Sequence, residues 1–433
     1  ATAEITLHGK TGRACRRLRA AEADVPARRR LLQNTYYEAA MCLREPPAWG
    51  SLSGVRPTKL TTRALLEGRT PAEAEKLLIQ TAQILRECLP LFKKSLMIPE
   101  ATVQAAQLLR PQDVSVYVGI PFCPTRCAYC SFVSSSIERF SGLLEPYLDA
   151  LVREIAHTGE LLRASGRTVR TLYIGGGTPT TALSSAQLRR LMEALRTHID
   201  LTELVEYTVE GGRPDTLDAE KLETIAAMGC GRMSINPQTM NDAVLARVGR
   251  RHTAAQTVAA YQAARAAGYD AVNMDLIAGL PGDAPGSFAD SLRQVLALAP
   301  ENVTVHTLAL KKGADLYAER MELPSADDVA QMLAGAEASL RAAGYTPYYL
   351  YRQKYMSGSF ENIGWCRPGT AGLYNIYMME EMHSIVSLGG GAMTKINLPD
   401  GRLERFHNPK FPQQYLERID DVLAQKDAAF RLL

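Results

Sequence analysis

The sequence predicts an α/β fold with a parallel sheet built from βα units. Two observations lead there. From residue 111 onward, short β-branched runs alternate with longer Ala/Leu-rich stretches. Six such runs separated by helical stretches fit a parallel sheet with crossover helices. Glycines and polar residues also stand at the ends of the runs, where βα units carry their functional groups.

Residues 1–110 read as a mostly helical domain. Arg29–Cys42 and Pro71–Phe92 carry apolar residues at helical spacing. Pro46-Pro47 and Gly54-Val55-Arg56-Pro57 punctuate them. Residues 111–320 form the α/β core. Its strands are expected at Val114–Gly119, Thr171–Ile174, Glu206–Glu210, Arg232–Ile235, Ala271–Leu276 and Asn302–Leu308. Helices fill the intervals at Leu143–Leu162, Ser184–Thr197, Asp218–Met228, Ala254–Ala267 and Pro285–Leu298. Residues 321–433 form an α+β region over the substrate. It holds a helix at Ala326–Ala343, an aromatic, polar segment at Tyr345–Tyr355 and a glycine run at Gly389–Gly391.

Composition narrows the class. The 433 residues suit two or three domains at about 150 residues each. With 46% hydrophobic and 22% charged residues the chain is not wholly disordered. A net charge of +3 gives no drive toward nucleic acid or an anionic membrane. Seven arginines between Arg13 and Arg30 read as a solvated helical face. No apolar run approaches the about 18 residues of a membrane span. Ala1-Thr2-Ala3-Glu4 lacks the basic-then-apolar order of a signal peptide. Eight cysteines are too sparse for a disulfide scaffold, so a reducing, cytoplasmic setting is expected.

Three of those cysteines stand together in Cys123-Pro-Thr-Arg-Cys127-Ala-Tyr-Cys130, directly after the first core strand. One short loop can converge three thiolates on one metal centre. A closed site takes four ligands, so three leave one iron of a 4Fe–4S cluster open. The alternative is a structural zinc site completed by Cys230, Cys366 or a histidine. Gly175-Gly176-Gly177-Thr178-Pro179 follows the second strand, and its glycines allow close backbone approach. Glu210, Gln238, Arg250 and Asp275 stand at or just after later strands. Singly each suits a cap or a turn. Together they suit a common pocket.

The cysteine spacing resembles the radical S-adenosylmethionine (SAM) superfamily. Tyr117-Val-Gly-Ile-Pro-Phe-Cys123, the Gly-Gly-Gly-Thr-Pro run and Asn273-Met-Asp-Leu-Ile-Ala-Gly-Leu-Pro281 are similar to the oxygen-independent coproporphyrinogen III dehydrogenase group. Ile235-Asn-Pro-Gln-Thr-Met240, Tyr351-Arg-Gln-Lys354 and Gly372-Leu-Tyr-Asn-Ile-Tyr377 are similar to its longer HemZ-type members, relatives of the HemN type. The chain departs from the well-established dehydrogenases at Gly119, where they carry His, and at Ser131-Phe132, where they carry Gly-Cys.

The resemblance implies a partial (βα)6 TIM-like barrel. It implies a 4Fe–4S cluster on Cys123, Cys127 and Cys130, with one or two SAM molecules per site. The glycine run Gly175, Gly176, Gly177 with Thr178 would receive the SAM amino group. Tyr117, Glu210, Gln238, Arg250 and Asp275 would contact SAM, and Tyr129 would lie near its adenine. The implied reaction is anaerobic oxidative decarboxylation of coproporphyrinogen III propionates to vinyl groups. Electrons would come from a donor such as flavodoxin or ferredoxin. Alternatives are a tetrapyrrole methyltransferase or other porphyrin-modifying enzyme, a haem chaperone, and a zinc-stabilised βα protein. Arg352, Lys354, Arg367 and Lys395 are candidate cations for the substrate carboxylates, and His306 could face the pocket.

Overall fold

The computed structural model describes the chain apart from residues 8, 18–24, 43–55, 57, 75, 77–97, 99, 131–134, 310–313, 315, 317–320 and 354–359. Its centre is an eleven-stranded sheet. Six strands, β3 (Asp113–Ile120), β6 (Thr168–Gly176), β7 (Glu206–Gly212), β8 (Arg232–Ile235), β9 (Ala271–Ala278) and β10 (Asn302–Thr307), lie side by side in chain order and in parallel. Helices occupy each crossover, including Leu144–Ala164, Ser185–His198, Ala219–Ala227, Ala254–Ala266 and Pro285–Leu298. This is a (βα)6 unit, and each expected strand and helix of the core has its counterpart within a few residues.

The winding follows from alternation along each strand. Val114, Val116 and Val118, Leu172 and Ile174, Val272, Met274 and Leu276 join one apolar core with the helices. The residues between them are polar or aromatic: Ser115 and Tyr117, Thr171 and Tyr173, Asn273 and Asp275. They bond to one another across strands, as Ser115 Oγ does to Thr171 Oγ1 at 2.6 Å and Thr304 Oγ1 to Asn273 Oδ1 at 3.1 Å. A sheet with one apolar and one polar face can bury the first under helices and enclose the second. Helix starts are fixed locally. Ser184 with Gln187 and Thr253 with Gln256 form reciprocal caps.

The C-terminal region extends the sheet at both edges. Beside β10 lie β12 (Asn362–Cys366) and then β11 (Thr346–Tyr351). Beside β3 lie β13 (Ile385–Leu388), β14 (Met393–Asn397) and β15 (Leu403–His407). The segment read as aromatic and polar is thus a strand, and Tyr348 and Tyr349 are buried in a second apolar cluster. Short two-residue strands β4 (Phe122–Cys123) and β5 (Ser135–Ser136) pair within the cysteine loop.

The described part of the N-terminal region is largely helical, as expected, with one unexpected addition. It opens on an antiparallel hairpin of β1 (Thr2–Leu7) and β2 (Lys10–Cys15), turning at Gly9 with φ 77°. The helix Val25–Met41 packs against it, and Lys59–Leu66 follows. Arg13 therefore lies on a strand, paired with Glu4 at 2.7 Å, rather than on a helical face. Arg19 and most of the helix expected over Pro71–Phe92 lie outside the described residues, as do Ser131 and Phe132. Among the described residues no helix is long and apolar enough to cross a membrane.

Candidate functional site

At the C-terminal ends of the parallel strands lies a cavity of about 310 Å³. Cys123, Cys127 and Cys130 line it, with Tyr129, Gly176, Gly177, Thr178, Glu210, Gln238, Arg250 and Asp275. Tyr117 and Gly175 do not. Tyr117 lies beside the stacked pair Tyr173 and Tyr374, with ring centroids 6.1 and 6.3 Å away. Gly175 lies just behind the wall, where a Cβ would meet Glu210 Oε2 at 2.6 Å.

The cysteine loop is clamped to the glycine run. Gly177 N donates to Ile120 O at 2.8 Å, and Thr178 N to Phe122 O at 2.7 Å. A Cβ on Gly177 would stand 2.2 Å from Phe122 O. Glycine is therefore required by the approach of the cysteine loop itself. Gly177→Ala should displace that loop. It should lower iron content after anaerobic reconstitution and cost about 1–3 kcal/mol of stability by overpacking. Iron analysis beside urea unfolding checks both effects, and full iron content with an unchanged midpoint would refute them.

Charges alternate around the cavity. Arg213 donates from Nη2 to Cys127 Sγ at 3.0 Å and from Nη1 to Thr125 Oγ1 at 2.8 Å. Arg250 bonds Tyr129 OH at 2.8 Å and the carbonyls of Asn236 and Gly212 at 3.0 and 3.3 Å. Burial raises the Tyr129 phenol, against the pull of Arg250. Burial, then the neighbouring Asp275 charge, pushes the Glu210 carboxyl up to about 7, against a bond from Gly176 N. Burial acts to raise Asp275 too, but His306, Asn273 and Thr304 hold it below its ordinary value. His306 Nε2 stands 3.6 Å from Asp275 Oδ2, so this histidine does face the cavity.

Gln238 carries backbone strain. Its φ is 69°, in the left-handed region, and two backbone bonds to β9 fix it there. Gln238 N donates to Asp275 O and Ile277 N to Gln238 O, both at 2.8 Å. Among the described residues, buried Gln238 Oε1 has no hydrogen-bond partner, and buried Arg250 Nε has none either. Buried polar atoms without partners mark places for a ligand.

These residues fit a 4Fe–4S cluster and SAM. Three thiols line the cavity that also holds two orphaned polar atoms, the carboxylates of Glu210 and Asp275 and the guanidiniums of Arg213 and Arg250. A zwitterionic amino acid group needs both signs of charge. Among the described residues no three His, Cys, Asp or Glu side chains close on a single ion. A polynuclear cluster accommodates wider sulfur spacing than mononuclear zinc. Of the proposed fourth zinc ligands, both cysteines stand elsewhere, and His306 at the cavity is turned to Asp275. Cys230 Sγ bonds Arg232 O at 3.1 Å, and Cys366 pairs with Asn302, both at the opposite ends of the strands.

The candidate substrate cations divide in the same way. Arg367 lies over the Tyr345 ring, and its backbone N bonds Glu301 O, below the start of β10. Lys395 sits opposite Ile385, level with Ser115. Both are at the end of the sheet away from the cavity, which corrects the expectation for them. Arg352 directly follows Tyr351 of the lining, and Lys354 lies outside the described residues. Arg213, Asn236 and Thr125 line the cavity and were not expected. The strand-end rule that selects Glu210 would also have selected Arg213, three residues further on.

Comparison with known proteins gives the family and the fold. The model of the radical SAM superfamily matches residues 117–295. The chain is 38% identical over 382 residues to an oxygen-independent coproporphyrinogen-III oxidase-like protein, HemZ, of Bacillus subtilis (strain 168), covering 87% of this chain and 76% of that protein. It is 28% identical to the heme chaperone HemW of Haemophilus influenzae, over 70% of this chain and 76% of that one. Among solved structures it resembles coproporphyrinogen III oxidase (HemN) from Escherichia coli, a radical SAM enzyme. That match has a TM-score of 0.60 and 27% identity, and covers 75% of this chain and 73% of that one.

Proposed function

Because the chain belongs to the radical SAM superfamily, in the tetrapyrrole-related group of HemZ, HemN and HemW, we propose that it oxidatively decarboxylates tetrapyrrole propionates, coproporphyrinogen III first among them. The cofactors of this family are a 4Fe–4S cluster and SAM, which together supply a hydrogen-abstracting carbon radical. In this reading Cys123, Cys127 and Cys130 hold the cluster. Glu210, Gln238, Arg250 and Asp275 position SAM, and the glycine run admits its ammonium beside Glu210. A propionate loses one β-hydrogen, carbon dioxide and one electron to an external acceptor, leaving a vinyl group. The observation that carries the reading is the one cavity shared by the three thiols and the strained Gln238, whose Oε1 has no partner among the described residues.

Anaerobic incubation with dithionite, SAM and coproporphyrinogen III tests it. Carbon dioxide and 5′-deoxyadenosine should appear in step with vinyl groups. Deoxyadenosine without decarboxylated porphyrin would overturn the substrate. A second reading, haem delivery, is favoured by the similarity to HemW. Stoichiometric haem binding and transfer without decarboxylation would support it.

SAM affinity should depend on pH through Glu210. Its carboxyl is raised to about 7, so it is protonated below that value and ionised above it. A cationic ammonium prefers the ionised form. Affinity should therefore fall about tenfold from pH 8 to pH 6 if the contact requires the charge. Glu210→Gln should flatten the profile. Calorimetry on reconstituted protein at both pH values decides it, and a flat wild-type profile would remove Glu210 from the SAM contacts.

A further inference from the structure

We propose that Arg213 is a positioning residue for the metal centre, holding Cys127 by its sulfur and raising the one-electron potential of the cluster. This rests on the assignment of Cys127 as a ligand. Arg213 is 3% exposed. Every side-chain hydrogen bond it makes goes to the cysteine loop: Cys127 Sγ at 3.0 Å, Thr125 O at 2.6 Å and Thr125 Oγ1 at 2.8 Å. Among the described residues it forms no ion pair with a carboxylate. A buried guanidinium without a carboxylate is costly unless another anion stands against it. Among the described residues the one group at bonding distance that would carry such charge, as a cluster ligand, is the Cys127 sulfur. The mount is rigid. Arg213 N bonds Gly211 O at 2.6 Å, Thr216 N and Oγ1 bond Arg213 O at 3.1 and 2.8 Å, and Pro214 follows.

The sign of the electronic effect follows from charge. Reduction adds one electron to the cluster and makes it more negative. A fixed cation donating N–H to a ligand sulfur stabilises the reduced form more than the oxidised one. Hydrogen bonds to the sulfurs and nearby charge are established levers on such potentials. The end of β7 thus carries two opposite charges to two cofactors, Glu210 toward SAM and Arg213 toward Cys127.

The test is a redox titration of the anaerobically reconstituted holoprotein, followed by electron paramagnetic resonance without tetrapyrrole. Arg213→Met should lower the midpoint so that the reduced-to-oxidised ratio at a fixed potential falls about tenfold, or about 59 mV for one electron. Arg213→Lys, which keeps charge but loses the fork, should fall between. An unchanged midpoint at full iron content overturns the proposal. If Arg213→Met does not retain iron, Arg213→Lys decides in the same two directions. Retention of iron by Cys127→Ala would instead overturn the ligand assignment, and none of these readouts depends on the tetrapyrrole reading.

Discussion

Replacing Cys123, Cys127 or Cys130 singly by alanine should abolish the metal centre while the fold persists. Iron, acid-labile sulfide and brown absorbance should fall to background after anaerobic reconstitution, and SAM cleavage with them. Three ligands leave no spare donor, and among the described residues no other cysteine stands at this cavity. The fold should survive because backbone bonds from Gly177 and Thr178 to Ile120 and Phe122 hold the loop whichever thiol is removed, although Cys127→Ala also strips Arg213 of its sulfur partner. Cys230→Ala and Cys366→Ala are the controls. Both thiols lie at the far ends of the strands, so both variants should load iron normally. Loss of iron in a control, or its retention in all three loop variants, would relocate the site.

Glu154→Ala should be the most destabilising single change, at about 3–5 kcal/mol. Glu154 is fully buried in the helix Leu144–Ala164. It accepts from Tyr415 OH at 2.6 Å, Gly389 N at 2.7 Å and Asn408 Nδ2 at 2.8 Å, and pairs with Lys426 Nζ at 3.1 Å. Lys426 also reaches Ser387 O and Thr394 Oγ1. Removing the carboxylate leaves a buried ammonium and three donors short of an acceptor. The pair Glu154→Met with Lys426→Met should cost much less than the sum of the single changes, because neither charge is then orphaned. Urea unfolding of the four proteins measures this. A loss below about 1 kcal/mol for Glu154→Ala would mean water replaces the carboxylate.

Much of the core was legible because its strands combine β-branched content with period-two alternation. Val114, Val116 and Val118 announce a strand, and the Ala/Leu-rich stretches between such runs announce the helices. The N-terminal hairpin was not legible. Thr2–Leu7 is largely exposed and only weakly apolar, so it has no buried face for a pattern to reveal. At the site, residues at strand ends were found because βα geometry fixes where they must lie. Arg213 was passed over because it stands in a turn before Pro214, where a solvated arginine is the ordinary expectation. Arg367 and Lys395 were misplaced for a different reason. Charge and aromatic neighbours identify a segment, but only strand direction tells which end of the sheet it reaches. β12 runs antiparallel to β10 and therefore carries Cys366, and Arg367 after it, away from the cavity.

Strand order also dictates when the protein can finish folding. A nascent chain completes the six parallel strands well before it makes their outer neighbours. Val118 waits for Leu388, and Val305 for Ile363. Until then both rims of the block present bare backbone donors and acceptors, the usual template for self-association. Closing such distant pairings is slow, since the loop entropy is lost before the contacts form. Synthesis at low temperature or with chaperones should therefore favour soluble product over intermolecular strand pairing.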